Sequence, residues 1–65
     1  MTGVVKWYDA GKREGVINPM DGDEDIIVNR ESLQGIPYLQ KGQRVGFTLK
    51  HSQDGAWASN VIKLR

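Results

Sequence analysis

No cysteine occurs in the chain, which excludes disulfides, thiolate metal sites and cysteine nucleophiles and suits a reducing compartment. The single histidine, His51, stands beside Ser52 in a polar stretch. One histidine without cysteine leaves a structural zinc site short of ligands, and adjacent residues do not give a base, a nucleophile and a third orienting group. Neither sign of charge dominates: nine Lys+Arg oppose eight Asp+Glu for a formal net charge of +1. The long-range field is therefore weak, and an anionic partner must meet a local patch. Apolar runs are no longer than Ile26-Ile27-Val28, far short of the roughly 20 residues of a membrane helix. The opening Met1-Thr2-Gly3 lacks the apolar region of a signal peptide. The expectation is a soluble, cytoplasmic, non-enzymatic chain with no cofactor, no small-molecule substrate and no membrane partner.

The length, 65 residues at 38% hydrophobic composition, allows one small domain over residues 1–65. Ordering costs of roughly 1.5 kcal/mol per residue leave such a domain only just stable without covalent staples. Eight glycines and two prolines cut the chain into segments too short for ordinary helices, and no window sustains a helical apolar period. Val4-Val5-Lys6-Trp7-Tyr8 reads as a first strand ending at the turn Asp9-Ala10-Gly11-Lys12. Gly15 to Asn18 reads as a second strand stopped by Pro19, which has no N–H for a ladder. An acidic loop, Asp21-Gly22-Asp23-Glu24-Asp25, leads to a third strand over Ile26 to Asn29. The acidic spacing imitates the start of a calcium loop, but Ile26 and Ser32 stand where that loop needs glycine and a bidentate glutamate.

Arg30 to Gln43 shows no period and reads as a long loop with one short helical turn near Ser32. Arg44 to Lys50 alternates, placing Val45, Phe47 and Leu49 on one buried face. After a polar turn from His51 to Gly55, Ala56 to Leu64 makes a last strand, whose strict alternation groups Trp57 with Ser59 and Val61. That grouping favours packing of Trp57 against the barrel end or between protomers over a role as an exposed platform. Val5, Ile17, Ile26, Val28, Val45, Phe47, Leu49 and Val61 are the expected inward positions. Five short strands, with a meander first and a long connection before the fourth, predict an all-β Greek-key barrel of OB type. A small SH3-like barrel has the same strand count, and pattern alone does not separate the two.

Trp7-Tyr8 between Lys6 and Lys12 sets aromatic faces beside positive charge, a combination that stacks the bases of single-stranded nucleic acid while holding its phosphates. From this point the chain resembles the bacterial cold-shock protein family over nearly its whole length. Met1-Thr2-Gly3-Val4-Val5-Lys6-Trp7-Tyr8 resembles the family's opening strand, Gly42-Gln43-Arg44-Val45-Gly46-Phe47 its fourth-strand entry, and Ala58-Ser59-Asn60-Val61 its closing strand. The resemblance implies a five-stranded OB barrel that binds single-stranded RNA and DNA on one face and acts as an RNA chaperone or antiterminator.

The departures fall on the binding face. The family's first ribonucleoprotein motif, Lys-Gly-Phe/Tyr-Gly-Phe-Ile, stands here as Lys12-Arg13-Glu14-Gly15-Val16-Ile17, and its second, Val-Phe-Val-His-Phe, as Ile26-Ile27-Val28-Asn29-Arg30. Four stacking aromatics are lost, each worth roughly 1–3 kcal/mol per base. Asn29 keeps a hydrogen-bonding edge, and Arg30 can pair with phosphate or lie flat on a base. Tyr38 is the aromatic of the long connection. The expected binding residues are thus Lys6, Trp7, Tyr8, Lys12, Asn29, Arg30 and Tyr38, with weak affinity and little sequence preference. Val16 and Ile27 would leave apolar surface on that face, which supports the alternative of a self-associating or protein-interaction module, such as a homodimer.

Overall fold

The computed structural model describes residues 1–20, 22, 24–53 and 55–64. Asp21 and Asp23 of the expected acidic loop and Asp54 of the following turn lie outside the described residues. Five strands occur, β1 (Thr2–Asp9), β2 (Glu14–Pro19), β3 (Ile26–Asn29), β4 (Arg44–Ser52) and β5 (Gly55–Lys63), with one 3₁₀ turn at Arg30–Ser32. They close into a barrel in the order β1-β2-β3-β5-β4. All neighbours are antiparallel except β3 and β5, which meet in parallel at Ile27 and Trp57. This is the five-stranded Greek-key closure of the OB fold, as the strand pattern predicts.

Alternation places Val5, Ile17, Ile26, Val28, Val45, Phe47 and Val61 in the buried core, joined by Leu39 and Ala58. Leu49 is only partly buried and packs against that cluster. Leu39 lies in the long connection, as the sequence predicts, yet its side chain is in the core. It is buried because the aperiodic connection folds back on the barrel: Gly42 N donates to Val5 O at 2.8 Å and Gln34 N to Val61 O at 2.8 Å. Pro19 does not stop β2 but forms its last residue, paired with Gly3. Its missing N–H costs the ladder little, since Met20 N donates to Thr2 O at 3.0 Å.

Two register slips decide which side chains face out. Between Val5 and Trp7 the β1–β2 pairing shifts by one residue, so Lys6 is the extra residue of a bulge and stands exposed next to exposed Trp7. Tyr8 then turns inward, half-buried against the core, opposite Gly15. A Cβ on Gly15 would lie 2.5 Å from Trp7 O and 2.9 Å from Tyr8 Cδ1, so only glycine lets β1 and the Tyr8 ring approach this closely. The second slip lies between Gly46 and Thr48 of β4, opposite Ile62 and Ser59. There Asn60 adopts φ 52°, a left-handed conformation that asparagine tolerates better than most residues. The slip corrects the strict alternation expected for β5. Ala58 and Val61 face inward, whereas Trp57 is on the outside.

Candidate nucleic-acid interface

The first bulge and the pairing registers line up one row of side chains across the outer face of the sheet. Trp7 pairs with Val16, Val16 with Ile27, Ile27 with Trp57, and Trp57 with Lys50. Trp7 is 46% exposed, Ile27 54% and Trp57 37%, so two indole rings bracket an apolar strip that stays in contact with water. Direct cross-strand neighbours lie close enough for their side chains to touch, and from Trp7 to Trp57 the row is continuous over four strands, with Lys50 of β4 beyond it.

Cations border this row at the β1–β2 turn. The turn is built by Asp9, whose Oδ1 accepts from Gly11 N at 2.9 Å and Lys12 N at 3.2 Å while its carbonyl accepts from Arg13 N at 2.8 Å. Arg13 takes φ 60°, the left-handed region, at the position where the cold-shock motif has glycine. Arg30 N donates to Arg13 O at 2.9 Å, tying the turn to the 3₁₀ segment. Lys12, Arg13 and Arg30 thereby line one shallow cleft with Asn29 and Glu31. Three cations facing one cleft give the local positive patch that the balanced net charge conceals. Asp9 and Glu14, opposite each other on β1 and β2, add acidic groups at its edge.

The sequence-expected residues therefore separate into groups. Trp7 belongs to the outer row, and Lys12, Asn29 and Arg30 share the basic cleft. Lys6 is outward but already paired: its Nζ lies 2.8 Å from Asp25 Oδ2, and Asn18 Nδ2 donates to Asp25 Oδ1 at 3.1 Å. Those two hydrogen bonds, that from Lys6 foremost, hold the Asp25 carboxyl below its usual value. Tyr8 shows only part of its ring. Tyr38 is exposed and lines a separate cleft with Ile36, Gln43 and Lys63. Arg13 and Lys50 were missed by sequence reasoning. Arg13 could have been found from its place beside Lys12 in the motif, whereas Lys50 is linked to the row only through its pairing with Trp57.

Among the described residues no group of three or more His, Cys, Asp or Glu could hold a metal ion, and no helix is long and apolar enough to cross a membrane. Comparison with known proteins decides the family. The model of the 'Cold-shock' DNA-binding domain matches residues 1–64. The chain belongs to the cold-shock domain family. It is 47% identical over 66 aligned positions to the cold shock-like protein CspB of Yersinia pestis, covering 98% of this chain and 94% of that protein. CspB of Escherichia coli (strain K12) is 42% identical, covering 95% and 90%, and its paralogue CspG is 39% identical, covering 98% and 94%. Within this cold-shock chain, Glu14, Val16, Ile27, Asn29 and Arg30 occupy the outer face where the family motifs carry rings and a histidine.

Proposed function

We propose that this cold-shock domain binds single-stranded RNA or DNA across the outer face of β1, β2, β3 and β5, weakly and with little sequence preference, as a cytoplasmic RNA chaperone. The observation that carries this reading is the exposed row from Trp7 to Trp57 beside the cleft of Lys12, Arg13 and Arg30. Trp7 stacks a base, Lys12 and Arg30 hold phosphates, and Asn29 reads a base edge. Lys6, Tyr8 and Tyr38 contribute at the margins: Lys6 once released from Asp25, Tyr8 through the part of the residue that is not buried, and Tyr38 where the strand leaves the sheet. Stacking is sequence-tolerant because every base has a π-face, which matches a face with few hydrogen-bonding groups between its rings.

A self-association surface is the weaker reading of the same row. A second copy would bring the same cations against those of the first, and like charges across an interface oppose docking. Phosphates meet them with opposite charge.

The test is a titration of an oligo-pyrimidine at low and moderate salt, followed by tryptophan fluorescence and solution mass. About three phosphate contacts predict a slope of log affinity on log salt near −2 for single strands. Trp7→Ala is expected to cost about 1–3 kcal/mol with little change in slope, whereas Lys12→Ala flattens the slope by about 0.7. Absence of quenching and of a mobility change at low salt overturns the proposal.

A further inference from the structure

Trp57 contributes nothing to the buried core, yet it is a large ring on the solvent side of β5. One flank of it forms the wall of a polar cleft with Asn29, Glu31, Gln34, Ser59 and Asn60. Part of that cleft is already satisfied internally: Ser32 Oγ donates to Asn29 Oδ1 at 3.3 Å, and Gln34 Nε2 to Asn60 Oδ1 at 3.4 Å. Asn29 Nδ2, Gln34 Oε1 and Asn60 Nδ2 are left without a protein partner among the described residues. An aromatic wall beside amide donors and an amide acceptor matches an unstacked base, which offers a π-face and a hydrogen-bonding edge together. Glu31 lines this cleft without a cation beside it, unlike the neighbouring cleft where Lys12, Arg13 and Arg30 outweigh it, so the base edge and not the backbone enters here. Lys50, paired with Trp57 across β4 and β5, supplies a cation for the phosphate outside.

The geometry points to Trp57 as a second base-stacking platform whose cleft reads the edge of the seated base, a subsite that rests on the single-strand-binding reading above. Trp7 and Trp57 are three strand spacings apart, about 14 Å. Bases stacked on each other lie about 3.4 Å apart, so the two rings take non-adjacent bases and the bound strand crosses β1, β2, β3 and β5. The intervening nucleotide passes over Val16 and Ile27, where the cold-shock motifs would have stacked it. The path of the ligand is thus lengthened toward β5 to offset the aromatics missing from β2 and β3.

The experiment uses the full chain in two single-tryptophan variants, Trp7→Phe and Trp57→Phe, titrated with a hexamer of deoxythymidine at low salt. The expected result is quenching of Trp57 in the first variant with the same midpoint as quenching of Trp7 in the second. Trp57→Ala is expected to weaken hexamer binding about 5- to 150-fold, and Trp57→Leu, which keeps apolar bulk without a ring, to weaken it similarly should the alanine variant fail to fold. Quenching of Trp7 with a flat Trp57 signal, or a Trp57→Leu protein that binds as tightly as the parent, overturns the subsite and leaves the single-strand function standing. No quenching of either ring removes both. A Trp57 signal that changes on dilution without oligonucleotide assigns the ring to contact between copies and also overturns the subsite.

Discussion

The Tyr8 hydroxyl is buried and has no hydrogen-bond partner, although the ring itself is half-buried against the core. A buried polar group left unpaired carries its desolvation cost without compensation, about 1–3 kcal/mol. Tyr8→Phe removes that group and keeps the ring over Gly15, so it is expected to raise the unfolding free energy by about 1 kcal/mol. A urea melt checks this through a higher midpoint at unchanged slope; a lower midpoint means that the hydroxyl finds a partner in solution. The same residue shows where sequence reading stops. Trp7 and Tyr8 are adjacent and both aromatic, and composition treats them alike as stacking candidates. The bulge at Lys6 separates them, leaving Trp7 outside with its face exposed and Tyr8 turned inward. Arg13 is a related case, because its left-handed conformation is the one a glycine would relax. The turn thus holds a left-handed residue where the family motif has glycine, and that residue brings a cation.

At the scale of strands and turns, local pattern was most informative where each residue's neighbours decide its side. Ile26 to Asn29 forms β3 over the expected span, and the alternation of Val45 and Phe47 leads both into the core. It failed where a distant contact overrides the period. Asn60 breaks the alternation of β5 because β4 and β5 must slip register there, and Leu39 is buried only because its loop is pinned to β1. The adjacency of Ile27 and Trp57 follows from barrel closure and has no local signature. The pairing of Lys6 with Asp25 likewise joins β1 to the entry of β3. Its carboxyl value is depressed by the folded state, so its contribution to stability is present above the ordinary carboxylate range and is lost as pH falls through the lowered value. Both partners are exposed, and the contribution is small. Asp25→Asn is therefore expected to leave the neutral-pH thermal midpoint nearly unchanged and to lessen its fall on the acid side. It also releases Lys6, so the salt slope of oligonucleotide binding steepens by about 0.7. An unchanged slope means that Lys6 does not meet phosphate.

Taken as a whole molecule, the barrel couples a small core to an outer face that depends on it. The strands that carry Trp7, Val16, Ile27 and Trp57 outward carry Val5, Ile17, Ile26, Val28 and Ala58 inward. Losing the core therefore disperses the row, and a ligand bound across four strands as proposed would hold them together. Phe47 is the only ring in the buried core among the described residues, at 5% exposure. Phe47→Ala is expected to cost about 3–5 kcal/mol, against a total stability of roughly 3–10 kcal/mol for a chain of this length. The variant then sits near its unfolding transition, where a far-UV spectrum responds to small free energies. Oligonucleotide at 100 times its dissociation constant stabilises the folded form by about 2.7 kcal/mol through mass action. Addition of an oligo-pyrimidine at low salt is therefore expected to draw the Phe47→Ala spectrum back toward that of the parent, and added salt to reverse the effect as phosphate contacts weaken. A variant as stable as the parent removes Phe47 from the centre of the core. A destabilised variant that the oligonucleotide leaves unfolded separates binding from the barrel and places it on a segment that does not need the closed sheet.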